Sequence, residues 1–187
     1  MKQLYKLLKS LDNIYIILLL WSLTTINLYF LAKPLNDYTI SASLTTIPTV
    51  LDTMTYYTAD EGYQVLSNLG EGGRNAYRLV NYVDFVFPFL MFLSISSSNI
   101  AFGKGRYYLI APLVCMVFDY LENIAERYVL EIFPERNDFV MNLACYFGLV
   151  KMSAVIASVS LFTFNVLQWF WKRRNYSLEK QQRQKSQ

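Results

Sequence analysis

The chain contains no histidine. That excludes a Ser-His-Asp triad, histidine-bound catalytic zinc and a haem held by an axial histidine. Lipid hydrolases that depend on histidine go with them. Cysteine is nearly as scarce, with Cys115 and Cys145 alone, and both fall within apolar stretches at different depths. No disulfide between them is expected, and none staples a loop. Neither a GxGxxG nor a Walker loop occurs, and Gly70–Gly73 follows no strand, so nucleotide binding has no support. No metal or other cofactor is expected, and nothing points to nucleic acid.

What is present is apolar. Of 187 residues, 54% are hydrophobic and 17% aromatic, and the mean hydropathy is +0.24. Four stretches, about 13–32, 79–99, 107–127 and 140–168, match the roughly 20 helical residues that cross a hydrocarbon core. Backbone groups in lipid must satisfy one another, so such segments are helices. The reading is an all-α, polytopic membrane protein: a four-helix bundle over 1–171 and a basic tail over 172–187. Its only expected constant surroundings are the lipid bilayer.

The basic residues are unevenly placed. Lys2, Lys6 and Lys9 precede the first stretch, and Lys104 and Arg106 follow the second. Lys172, Arg173, Arg174, Lys180, Arg183 and Lys185 follow the fourth. Asp37, Asp52, Asp60, Glu61, Glu71, Glu131 and Glu135 fall on the other side. The positive-inside rule then predicts both termini on the cytoplasmic or equivalent face. The first stretch, Ile14 to Leu31, is too long for a cleaved signal core and reads as a retained anchor. The sequon Asn175-Tyr176-Ser177 falls on the inner face, where it carries no meaning.

A long outer segment, 33–78, joins the first two stretches. After Lys33-Pro34 it reads as extended and polar. Thr58-Ala-Asp-Glu61 is a capping box, and Tyr63, Leu66 and Leu69 give the helix after it an apolar edge. Gly70 stops that short amphipathic helix, about 59–69. Gly72 and Gly73 read as a flexible break, and the second spanning helix as starting near Arg74. Asn137 and Asp138 are N-cap candidates for the fourth.

Ionisable groups inside the apolar stretches are the main functional signal, because each is costly in hydrocarbon. Arg74, Tyr77, Asn81, Asp84 and Pro88 recur at three- and four-residue steps and share one helical stripe. Pro88 deletes the hydrogen bond to the Asp84 carbonyl and can kink the helix there. Asp119, Glu122, Asn123 and Glu126 form a second stripe. Ala144, Gly148, Lys151, Val155 and Ser158 form a third, whose small members permit close approach. At about 1.5 Å per residue, Asp84, Asp119 and Lys151 come to similar depth. The expected ion pair is Lys151 with Asp84 or Asp119.

Two families share fragments of this pattern. Tyr82-Val-Asp84 resembles the first motif of intramembrane aspartyl proteases, but Phe118-Asp119-Tyr120 lacks the Gly-x-Gly-Asp of their second. Asp84-Phe-Val-Phe-Pro88 is similar to an acid-then-proline pattern in small four-span sterol-isomerase-like and sigma-2-receptor-like proteins, which bind amphipathic amines through buried carboxylates. That likeness covers a few residues, and the first stretch has no acid to match. Claudin-like and tetraspanin-like proteins are disfavoured by the missing loop cysteines.

The expected function is binding or translocation of a small molecule, lipid-like ligand or ion at a polar pocket in the outer half of the bundle. Asp84, Asp119 and Glu122 would supply negative charge and Lys151 would balance it. Tyr77, Asn81 and Asn123 would hydrogen-bond, with Arg74, Glu126 and Pro88 at the rim or gate. Such a protein need not be an enzyme. A non-catalytic subunit or assembly factor, with a membrane-protein partner or a second copy, is the alternative. A lipid-modifying enzyme using a carboxylate pair is the third.

Overall fold

The computed structural model describes residues 1–103 and 105–185, with side chains described as far as Tyr176. Lys104 lies outside the described residues, as do the side chains of Ser177, Lys180, Arg183 and Lys185. The chain is 84% helical, without strands among the described residues. In order come α1 (Lys2–Lys9), α2 (Ile14–Ser41), a 3-10 turn (Leu51–Thr53) and α3 (Ala59–Asn68). α4 (Gly70–Asp84), α5 (Phe87–Gly103), a second 3-10 turn (Arg106–Leu109), α6 (Ile110–Ile132) and α7 (Asp138–Lys185) complete the chain. Four helical stretches are long and apolar enough to cross a membrane: Ile14–Ser41, Gly70–Gly103, Arg106–Ile132 and Asp138–Tyr176.

The helix α2 runs to Ser41, nine residues beyond the expected end at 32. Pro34 sits inside it, although proline removes a helical hydrogen bond and crowds the preceding turn. Packing compensates for that loss. Leu35 is buried in the apolar core that includes Tyr63, Leu66, Ala76 and Val80, and Tyr38 packs beside it. The Tyr38 hydroxyl also donates to the Leu69 carbonyl at 3.1 Å. So 33–41 is helix, not the extended segment expected from Lys33-Pro34.

Gly72 and Gly73 are likewise helical, within α4. Their missing side chains serve proximity instead of flexibility: a Cβ would lie 2.9 Å from the Tyr38 ring at Gly72 and 3.1 Å from it at Gly73. Gly70, at φ +61°, supplies the left-handed residue that turns α3 into α4. The capping box of α3 is formed, with the Thr58 amide donating to Glu61 at 2.8 Å and the Glu61 amide to Thr58 Oγ1 at 3.3 Å. The Glu61 carboxylate also accepts the Thr58 hydroxyl at 2.9 Å, and the bonds it receives from the Thr58 amide and hydroxyl hold it below the usual glutamate range.

One helix is interrupted where sequence suggests it. α4 ends at Asp84 and α5 begins at Phe87, around the proline at 88. The Phe85 carbonyl freed there accepts the Tyr120 hydroxyl of α6 at 3.0 Å. α2 packs along α4 and α5, while α6 and α7 form the largest helix pair and α5 closes on both. Asn137 starts α7 by accepting the Val140 amide at 3.1 Å.

A polar layer ties the bundle near its other end. Trp21 donates to Ser98 at 3.1 Å, Thr24 and Ser94 share a bond of 2.9 Å, and Asn165 donates to Asn99 at 3.1 Å. In an apolar bundle such pairs fix helix register.

Candidate functional site

Lys151 of α7 is the centre of the buried charge. Its Nζ lies 2.5 Å from Asp52 Oδ1, 2.5 Å from Glu122 Oε2 and 3.7 Å from Asp119 Oδ1. Asp119 is therefore a partner, as expected, but the more distant one. Asp84 is not within ion-pair distance of any cation among the described residues, so of the two acids expected for Lys151 only Asp119 is a partner. The physical reason is competition: Asp52, which accepts a hydrogen bond from the ammonium, and Glu122 both come closer to it.

In the sequence Asp52 is only one of several acids outside the apolar stretches. It belongs to the 3-10 turn of the 42–58 segment, which folds back into the bundle. Val50 and Leu51 anchor that turn, at 2% and 0% exposed. The Asp52 amide donates to the Tyr77 hydroxyl at 3.3 Å. The Tyr57 amide five residues on contacts Cys145 Sγ at 3.3 Å. An apolar Val-Leu pair inside a polar segment was the available signal.

Glu122 is set by a glycine. It is buried, and the bare Cα of Gly148 leaves room for its carboxylate between α6 and α7. Glu126, one turn along, is 1% exposed, so it is an interior residue and not part of the rim. Oxygens of Asp52, Glu122 and Glu126 all lie within 4.8 Å of one another. Such a group could share one cation, and the Lys151 ammonium already bridges two of its members.

The remaining residues divide into supports and walls. Asn81 donates to the Asn123 carbonyl at 3.1 Å, joining α4 to α6 beneath the acids. Tyr77 holds the Asp52 backbone. Arg74 donates to the Leu66 carbonyl at 2.9 Å and lies 4.4 Å over the Phe133 ring, tying α3 and the α6 end to α4. Pro88 is buried and shapes the helix break rather than lining a cavity.

A cavity of about 270 Å³ opens beside the acids. Asp52, Asp84, Asp119 and Lys151 give it a charged end, and Phe87, Met91, Cys115, Val155, Leu28, Leu31 and Met152 form its apolar walls. Leu28 and Met152, from α2 and α7, are 52% and 46% exposed. Its mouth is therefore on the side of the bundle, between these two helices. Of these wall residues periodicity marks only Val155, on the stripe of Lys151, because apolar side chains on apolar helices carry no contrast.

Both cysteines are free, Cys115 in the cavity wall and Cys145 beside Tyr57. Comparison with protein-family models, curated proteins and solved structures finds no match for this chain.

Proposed function

We propose that the chain is an integral membrane protein, both termini inside, that binds an apolar molecule with a cationic head in the cavity beside Asp84. The observation that carries this is charge balance. Three carboxylates, Asp52, Asp84 and Asp119, and a single ammonium line a cavity whose remaining wall is apolar. Lys151 is already clamped by Asp52 and Glu122. Asp84 is left facing the space without a cation, and a desolvated carboxylate favours an opposite charge or a proton.

The side mouth supports the same reading. With the four apolar helices in a bilayer, Leu28 and Met152 would face acyl chains. A ligand partitioned into lipid would then reach the acids without crossing water. The cavity is close to the lower end of ligand pockets, about 300 Å³, which suits an ammonium and part of a tail that trails into lipid.

The test uses N,N-dimethyloctylamine, protonated at neutral pH, against octanol as the neutral probe of equal chain length. In the purified full chain the amine should raise the unfolding temperature and octanol should do so far less. Asp84→Asn should keep its helicity and lose at least tenfold in amine affinity. Equal shifts from both probes, or an Asp84→Asn chain with undiminished amine binding, would sink the proposal. Loss of folding in Asp84→Asn and Asp119→Asn alike, with no amine effect on the native chain, would favour the structural-subunit reading.

A further inference from the structure

A second cavity, of about 450 Å³, lies at the opposite end of the bundle. Its lining is Lys2, Tyr5, Lys6, Lys9 and Arg106. Four of those five side chains are cationic and none is acidic. The cavity is built by the amphipathic character of α1. Lys2, Lys6 and Lys9 follow steps of four and three on one face, and Leu4, Leu8 and Leu11 follow the same steps on another. Leu8 is 2% exposed and packs with Phe92, Ile100 and Leu109, while Leu4 and Leu11 pack beside it. That apolar contact fixes α1 across the ends of α5 and the Arg106–Leu109 turn.

Fixing the leucines also fixes where the lysines go, onto the rim shared with Arg106. No carboxylate forms an ion pair with Lys2, Lys6, Lys9 or Arg106 among the described residues. Three arginines elsewhere do have acidic partners: Arg127 and Arg78 share Glu131, and Arg136 binds Asp60 and Asp138. Like charges gathered round one concavity repel, and the field they focus attracts an anion of matching valence. We propose that this cavity receives a lipid headgroup bearing more than one phosphate, drawn from the leaflet on the side of the termini.

Three features favour that occupant. Four cations exceed what a single monovalent headgroup would neutralise. Ammonium and guanidinium groups both donate several hydrogen bonds to phosphate oxygens. The end of the bundle that carries α1 and Arg106 is where bases meet anionic lipid in a spanning protein, so this inference rests on the membrane reading above. It is independent of the amine cavity at the other end.

The experiment uses the full chain reconstituted in phosphatidylcholine nanodiscs. Binding is measured for a short-chain phosphatidylinositol bisphosphate, for phosphatidylserine and for inorganic phosphate. The bisphosphate lipid should bind at least tenfold more tightly than phosphatidylserine and should not be displaced by millimolar inorganic phosphate. The triple change Lys2→Gln, Lys6→Gln, Lys9→Gln should weaken it tenfold or more, and Arg106→Gln by several-fold. Replacing all three lysines by arginine should restore binding. The control Lys172→Gln, Arg173→Gln, Arg174→Gln should leave it unchanged.

Equal losses in the tail control and the α1 variant would mean diffuse surface attraction and overturn the proposal. Displacement by inorganic phosphate would assign the site to the free anion and overturn the lipid. A chain that fails to insert in phosphatidylcholine bilayers defeats the membrane reading along with this one. A chain that inserts yet shows no preference for the bisphosphate defeats this one alone.

Discussion

Glu122 lies so close to the bare Cα of Gly148 that a Cβ there would stand 2.5 Å from its Oε1. The glycine is thus a socket for a carboxylate, not a point of flexibility. Glu122 cannot simply swing aside, because its other oxygen is 2.5 Å from the Lys151 ammonium.

Gly148→Ala should therefore destabilise the chain by about 1–3 kcal/mol, the usual range for overpacking a filled interior. Equilibrium unfolding in mixed micelles measures this. Glu122→Ala in the same chain should recover part of the loss, because the shortened side chain vacates the space. A neutral Gly148→Ala would show that α6 and α7 can part more easily than their contact suggests.

Lys151→Met leaves its three carboxylate neighbours without their cation, and breaking a buried pair on one side costs about 3–5 kcal/mol. Much of that cost is the stranded charge, so Asp52→Asn and Glu122→Gln should each lessen it. A double-mutant cycle should give coupling of about 0.5–3 kcal/mol between Lys151 and each acid. Additive effects would mean that the observed 2.5 Å contacts carry no net interaction.

The helix α3 should loosen in acid. The Glu61 carboxyl is held below its ordinary value by hydrogen bonds from Thr58. A depressed folded-state value stabilises above the unfolded value, and the contribution is lost as pH falls through the folded one. The window thus begins near the ordinary glutamate value of about 4.3 and extends below it. Amide exchange of 59–68, corrected for its intrinsic pH dependence, should show weaker protection at pH 3 than at pH 6. In Glu61→Gln that difference should shrink; if it persists unchanged, another group governs the segment.

Cys115 reports on the amine cavity. It lines the wall, whereas Cys145 does not. Methyl methanethiosulfonate should modify Cys115 in a Cys145→Ser chain, and N,N-dimethyloctylamine should slow the reaction at least fivefold. Cys145 in the Cys115→Ser chain should show no such protection. Reaction rates followed by intact mass would reveal either outcome.

Much of the helical layout was legible beforehand. Long apolar runs have few alternatives to helix, and the Thr58–Glu61 box and the break near Pro88 act through local geometry. Three- and four-residue spacing also put Asp84 on one stripe, Asp119 and Glu122 on another and Lys151 on a third. Local rules misjudged Pro34 and Gly72-Gly73, where Tyr38 and Leu35 hold α2 against α4. An interior proline costs about 3 kcal/mol and a glycine about 1, and the burial of Leu35 with the packing of Tyr38 against the core offsets costs of that size.

Sequence alone determined that acids and a lysine reside in apolar helices, because composition and periodicity are properties of the chain itself. It could not determine which acid meets the lysine. That was decided when the turn at Leu51–Thr53 folded into the bundle and Gly148 let Glu122 approach. Ion pairing depends on separations of a few ångströms, and a segment without helical periodicity gives no register from which to read them. Only tertiary packing brought Asp52, ninety-nine positions away, to the ammonium of Lys151.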